Sequence, residues 1–307
     1  MRLPYQHLDV FADSAFHGNQ LAVFLESVGL DARVMQRIAN EMAFPETTFV
    51  FPADSPETNA RVRIFTPSRE LPMAGHPTIG TVFALAGDKR IRAGQPVITL
   101  ALGVGPTPVF LEWKGERLDF AWMRQPAPTF GFVADRLDLL AAAMAVSERE
   151  IRITGLPVQA ISSGVPFLFV PFTTREAVNR ATVDRAALRT FFEASGQDEL
   201  PVFAFSLEPG EDDATAFSRM FAPLFGIPED PATGGASGPL GAYLVHYKAV
   251  SNETAARMVS LQGVAMGRPS RIVISIATRD GSISDVRVGG TCVSMGSGHL
   301  EIPEEAP

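Results

Sequence analysis

Apolar and polar residues alternate along this chain in short runs, separated by segments with helical spacing. Residues 4–11 (PYQHLDVF) and 21–25 (LAVFL) read as strands flanking a turn that holds His17, Gly18 and Asn19. Asp31 offers an N-cap, and Met35, Ile38, Ala39 and Met42 recur on one helical face, the pattern of packing on a core. Pro45 ends that helix. Residues 47–51 (TTFVF) and 61–66 (RVRIFT) are rich in β-branched and aromatic side chains and read as strands. Gly75, His76 and Pro77 open an apolar helix over residues 78–86, and two or three strands follow between residues 96 and 120.

Residues 125–131 (QPAPTFG) read as an uncharged linker in which periodicity stops. Beyond it the order of elements roughly repeats. A helix is expected over residues 137–145, strands near Ile151 and Val158, a strand at 167–170 and a long amphipathic helix over 175–194. Strands at 202–207 and 214–221 lead to a Pro/Gly-rich loop over 227–238. A second apolar helix covers 240–247, and strands fill 271–277, 283–288 and 298–302. Laid on one another by eye, residues 46–50 (ETTFV) fall against 164–168 (GVPFL), and Phe65-Thr66-Pro67 against Phe221-Ala222-Pro223. Gly75-His76-Pro77-Thr78 falls against Asp230-Pro231-Ala232-Thr233. The repeat predicts two similar α+β domains, 1–125 and 126–307.

Composition narrows the class. Of 307 residues, 46% are hydrophobic and 20% charged, enough apolar matter for a folded core and too much for a disordered chain. The net charge of −8 argues against nucleic acid as the main partner, because neutralising phosphates needs a basic face. No continuous apolar run predicts a secretory signal or a membrane span, so the expected location is the cytoplasm. Cys292 is the one cysteine, which excludes an intrachain disulfide, a Cys-rich zinc site and any mechanism that needs two thiols.

The familiar nucleotide, hydrolase and metalloprotease motifs are missing, and the five histidines have no metal-ligand spacing; no metal is expected. Gly103-Val104-Gly105 reads as a β-turn. Two loop-to-helix junctions remain, Met73-Ala74-Gly75-His76-Pro77-Thr78 and the nine residues from Asp230 to Gly238. A helix start built of small residues leaves backbone N–H groups facing outward with partial positive charge, a seat for a carboxylate. The same residues also suit ordinary capped turns. Glu46, set among apolar neighbours, reads as a general acid/base or as a loop glutamate. His76 reads as a neutral donor or as a hydrogen-bonded capping histidine. Asp230 reads first as an N-cap.

Taken in order, these stretches resemble the phenazine-biosynthesis PhzF-like family, which shares the diaminopimelate epimerase fold. The resemblance rests on Asp9-Val10-Phe11, Phe16-His17-Gly18-Asn19, Met35-Gln36-Arg37-Ile38-Ala39-Asn40-Glu41 and Pro45-Glu46-Thr47-Thr48-Phe49-Val50. It continues through Phe65-Thr66-Pro67, Gly75-His76-Pro77-Thr78-Ile79-Gly80, Ser163-Gly164-Val165-Pro166-Phe167, Asp230-Pro231-Ala232-Thr233-Gly234, Gln262-Gly263 and Met266-Gly267-Arg268-Pro269-Ser270.

The resemblance implies two pseudo-symmetric domains, each a mixed β-sheet rolled around a central α-helix, with the active site in the cleft between them and the last strand able to return to the first domain. It implies an isomerase without metal or organic cofactor, in which Glu46 is the acid/base and His76 and Asp230 orient the substrate or relay protons. Gly75 and Gly234 would hold a small carboxylic acid through backbone N–H groups, and Asn19 would line the pocket. Many relatives carry Ser where this chain has Gly235, and proline where it has Gln20; the first departure bears on which substrate is taken. A homodimer is also implied, with no membrane or nucleic-acid partner. Related epimerases use two opposed thiols, which a single Cys292 cannot supply. Two other readings stand beside isomerisation: a racemase or epimerase using Glu46 and Asp230 from opposite faces, and a ligand-binding protein that has kept the fold without turnover.

Overall fold

The computed structural model describes residues 1–302. Its contacts divide the described residues into two units, one made of Met1–Arg124 together with residues 289–302, the other of Gln125–Val288. In the first unit β1 (Arg2–Val10) pairs antiparallel with β2 (Asn19–Phe24), and β2 runs parallel to β3 (Glu46–Phe51) across the connecting helix α1 (Ala32–Met42). Asp31 caps α1, its carboxylate accepting the Val34 N–H at 2.8 Å. From β3 the chain turns back antiparallel into β4 (Ala60–Phe65), which also pairs with the short β5 (Glu70–Leu71). The apolar helix α2 (Gly75–Gly87) then carries the chain to β6 (Val97–Leu102), parallel to β4, and the hairpin strands β7 (Gly105–Lys114) and β8 (Arg117–Arg124) follow.

The second unit repeats this order of pairings. It opens with β9 (Thr129–Val133), α3 (Leu137–Ala143) and α4 (Glu148–Arg152); β9 pairs with β10 (Gln159–Ser162). Next, β10 is antiparallel to β11 (Pro166–Phe172), and β11, after α5 (Arg175–Arg180) and α6 (Arg185–Ala194), is parallel to β12 (Val202–Ser206). Antiparallel to β12 comes β13 (Ala216–Ala222), which pairs with the short β14 (Ile227–Asp230). Helix α7 (Gly234–His246) and the single turn α8 (Asn252–Ala255) lead to β15 (Met258–Gln262), parallel to β13, and then to β16 (Ser270–Arg279) and β17 (Ser282–Gly290). The last strand, β18 (Cys292–Glu301), belongs to the first unit, where it lies antiparallel to β1.

Register decides which residues of the two halves correspond, and it corrects the alignment made by eye. Thr47 lies opposite Phe65, and Val202 opposite Phe221, so Glu46 corresponds to Pro201. Ala22 lies beside Thr47 and Leu168 beside Val202. The GVPFL run therefore matches residues 18–22, with Gly18 and Gly164 both at positive φ, and not the strand that begins at Glu46. Leu71 lies opposite Ile64 and Asp230 opposite Met220, so Asp230 ends a strand, and the helix starts that correspond are Gly75 and Gly234. A shared ion pair marks the same correspondence: Arg63 forks onto Glu70 at 2.7 and 2.6 Å, and Arg219 onto Glu229 at 2.8 and 2.8 Å.

Three further expectations change. Ile151 lies in α4, whose start is a reciprocal Ser147–Glu150 capping box, and not in a strand. The helix expected over 175–194 is two helices, because Asp184 caps a new start by accepting the Ala187 N–H, while the buried Arg219 guanidinium donates to the carbonyls of Val178, Asn179 and Ala181 at the end of α5. The linker at 125–131 is partly ordered: β9 begins at Thr129, and the backbone N–H of buried Gln125 donates to the Val286 carbonyl.

Each unit buries an apolar helix against its sheet. Ten residues of α2 are buried from Gly75 to Leu85, and Gly80 lets the helix approach β1 and β2 so closely that a Cβ would sit 2.5 Å from Leu21 and 2.7 Å from Val10. On the other side of the same strands, Phe49 stacks on Phe24 at 5.2 Å and meets the edge of Phe65 at 5.6 Å. In the second unit Phe169, Phe205 and Tyr243 gather around α7, and the Tyr243 hydroxyl donates to the Pro157 carbonyl at 2.7 Å. Gly18 holds the turn before β2 at φ +68°, where a Cβ would stand 2.3 Å from the Val10 carbonyl oxygen. Gly18→Ala should therefore lower unfolding free energy by about 2 kcal/mol or more, read from denaturant midpoints; an unchanged midpoint would show that the turn relaxes without cost.

Candidate active site

Three side chains singled out in the sequence meet inside the first unit. Asn19 is the first residue of β2 and Glu46 the first of β3; the parallel pairing of these strands sets Glu46 beside Leu21. His76 is the second residue of α2, carried inward because that helix is buried almost throughout. Its Nε2 lies 3.1 Å from Glu46 Oε2, and its Nδ1 lies 3.3 Å from Asn19 Nδ2. The His76 side chain is 6% exposed and that of Glu46 15%. The 3.1 Å approach is short enough for a hydrogen bond but is not directed as one, so ring and carboxylate stand in contact.

Burial pushes the His76 pKa from 6.5 down to about 3, against the opposing pull of the Gln20 carbonyl, which favours a protonated ring. The imidazole is therefore neutral near pH 7 and carries one proton. Its Nδ1 edge faces the Asn19 amide and its Nε2 edge faces Glu46. A neutral N–H donor beside a carboxylate can hold that carboxylate or an anionic oxygen without supplying a full positive charge.

The second unit holds the other set. Asp230 ends β14 and is not the N-cap of α7; that position is Thr233, which makes no side-chain capping bond. Instead, Asp230 Oδ2 accepts the Thr233 hydroxyl at 2.5 Å. Gln262, fully buried at the end of β15, donates to the Asp230 carbonyl at 2.7 Å and accepts the Thr233 N–H at 3.0 Å. Gly234 and Gly235 begin α7, and Gln125 Nε2 donates to the Gly234 carbonyl at 2.9 Å. A Cβ on Gly235 would meet only the Phe167 ring, at 3.9 Å, so crowding does not dictate glycine there. In the first unit Gly75 begins α2, whose N-cap Ala74 likewise offers no side-chain bond. Both helix starts thus keep unsatisfied donors in their first turn.

Thr233, Gln262 and Gln125 were not assigned a role from sequence. The available signal was a glutamine ending an apolar strand just before Gly263, and a second glutamine at the head of a proline-rich stretch. Cys292 begins β18, and burial pushes its thiol pKa well above the ordinary value, with the Asp9 charge adding to the rise and the Phe11 backbone opposing it. A thiol so held stays protonated and is a poor base. Among the described residues no group of three His, Cys, Asp or Glu side chains is placed to hold a metal ion, and no helix is long and apolar enough to cross a membrane.

Comparison with known proteins places the chain in a family. The sequence model of the family described as phenazine biosynthesis-like protein matches residues 8–298. The chain is 32% identical to the trans-2,3-dihydro-3-hydroxyanthranilate isomerase of Pseudomonas aeruginosa, over 96% of this chain and 98% of that one. It is also 32% identical to an uncharacterised isomerase of Mesorhizobium japonicum, over 97% and 98% of the two chains. A phenazine biosynthesis protein of the PhzF family from Bacillus anthracis has the same fold, with a TM-score of 0.87 at 25% identity over 98% of this chain and all of that one. The chain belongs to the phenazine biosynthesis-like PhzF family and is an isomerase.

Proposed function

We propose that this isomerase moves a proton between carbons of a small unsaturated or hydroxylated carboxylic acid, with Glu46 as the acid/base. The observation that carries the reading is the buried contact between Glu46 Oε2 and the neutral His76 ring at 3.1 Å. The Glu46 carboxylate takes a proton from a carbon next to an electron-withdrawing group. The freed electron pair shifts along the conjugated system, and the same carboxyl group returns the proton to another carbon. Atoms and electrons balance within one substrate molecule, so the step needs no external oxidant or second base. His76, a neutral ring packed against the carboxylate, has one N–H to give to an oxygen that gains charge as the proton leaves. The N–H groups at Gly75 favour the substrate carboxylate, aided by the partial positive charge of the α2 start. We assign Asp230, Gly234 and Gly235 a part in holding substrate as well. The similarity to a trans-2,3-dihydro-3-hydroxyanthranilate isomerase makes that compound the first substrate to try.

In D2O, the proton held by the Glu46 carboxyl exchanges with solvent before its return, so turnover of trans-2,3-dihydro-3-hydroxyanthranilate should place deuterium on the carbon that gains the proton, and Glu46→Gln should lower kcat by about 100-fold or more. Full activity of Glu46→Gln would remove Glu46 from the mechanism, and inversion of a stereocentre with no double-bond shift would replace isomerisation by epimerisation. Cys292→Ser should stay within about twofold of wild type in kcat/KM, since a protonated thiol takes no part; a large loss would contradict this.

The buried neutral histidine also sets a pH dependence of stability. Its folded pKa of about 3 lies below the unfolded 6.5, so the unfolded chain binds more protons between those values and stability falls as pH drops below 6.5. At pH 5 this contribution is about 2 kcal/mol. His76→Asn should lose less melting temperature between pH 7.5 and 5 than wild type does; equal losses would place the acid sensitivity elsewhere.

A further inference from the structure

Gln262 holds a position from which one amide directs a chain of hydrogen bonds. The backbone N–H of Thr233 can only donate, and it meets Gln262 Oε1 at 3.0 Å. The backbone carbonyl of Asp230 can only accept, and it meets Gln262 Nε2 at 2.7 Å. These two contacts together fix which end of the Gln262 amide is oxygen and which is nitrogen. The second Nε2 hydrogen is then directed at Thr233 Oγ1, 3.0 Å away. A hydroxyl that accepts this bond has its own proton to give, and Asp230 Oδ2 stands 2.5 Å from it. The chain therefore runs one way, from Gln262 through the Thr233 hydroxyl to the Asp230 carboxylate, and Oδ2 is its terminal acceptor.

The turn does not need this chain to form. In the first unit, Ala60 lies beside Leu100 as Ala216 lies beside Ser260, so Leu102 corresponds to Gln262. Leu71 corresponds to Asp230, and Ala74 to Thr233. The same strand end, turn and helix start are thus built there from Leu71, Ala74 and Leu102, with no polar side chain at any of the three. Three buried or half-buried polar side chains cost desolvation unless they bond one another, and apolar residues serve the fold equally well.

We propose that Gln262 is a positioning residue that acts through Thr233 to hold the rotation of the Asp230 carboxylate, with Oδ2 committed as an acceptor. Asp230 then presents a fixed orientation to a donor group of the substrate, an amine or a hydroxyl on a small acid. This rests on the reading that Asp230 takes part in turnover.

The test uses Thr233→Val, which removes only the hydroxyl, Thr233→Ser, which restores it, and Gln262→Leu, the residue that the first unit carries. With trans-2,3-dihydro-3-hydroxyanthranilate, Thr233→Val and Gln262→Leu should each lower kcat/KM tenfold or more, and Thr233→Ser should stay within threefold of wild type. In an Asp230→Asn background neither Thr233→Val nor Gln262→Leu should lower activity further. A Thr233→Val enzyme with wild-type activity, or effects that multiply with Asp230→Asn, would overturn the proposal. Asp230→Asn with wild-type activity would instead fail the underlying reading, and the positioning role with it. A crystal structure of Thr233→Val gives a readout independent of turnover: a rotated Asp230 carboxylate is expected, and an unmoved one overturns the proposal.

Discussion

The burial of one apolar helix in each unit is the constraint from which the rest follows. A helix of 13 residues with an almost unbroken apolar surface has no solvent-facing side, so the strands must cover it. Gly80 removes the side chain that would otherwise hold α2 away from Leu21 and Val10. Because the helix is drawn in so far, its first turn is drawn in too. That carries His76 out of water, and loss of hydration keeps the ring neutral. The chemistry assigned to His76 is thus a consequence of how the fold buries α2, not of the histidine side chain alone.

The duplicated frame shows which polar groups the fold itself requires. Arg63 with Glu70 and Arg219 with Glu229 recur at corresponding positions, as expected of a pair that ties a short strand to its neighbour. The candidate site residues do not recur. Asn19, Glu46 and His76 correspond to Val165, Pro201 and Gly235, while Asp230, Thr233 and Gln262 correspond to Leu71, Ala74 and Leu102. The same backbone is built without each set, so each set is an addition to the frame whose desolvation the fold does not need to bear. Such departures between local rules and fold are where function is expected.

The lone cysteine fits the same division. A thiol serves as an acid/base only where it can ionise. Cys292 begins β18 with its thiol held protonated by burial, and its part is to pack where the last strand joins β1. Glu46 is the carboxylate placed against the neutral ring, which is why the proposed function gives it the acid/base part.

Much of this was legible in the sequence because it is local. Strand alternation, the Asp31 cap, the apolar helices and the two small-residue junctions follow from short-range sterics and periodicity, and the ordered motifs pointed to the family and to Glu46, His76, Asn19 and Asp230. What the sequence could not settle was anything set by register. Matching GVPFL to ETTFV by eye failed because strand pairing, not composition, decides which residues correspond, and one residue of slip changes every partner. The break between α5 and α6 depends on Arg219, some 40 residues away in sequence, and the Asp230 chain depends on Gln262 arriving from β15. The sequence alone determined the elements, the family and the candidate acid/base residues. Only the tertiary structure decided that His76 is neutral and that Asp230 is held by Thr233 and not used as a cap. Burial and hydrogen-bond direction exist only once distant segments are packed together.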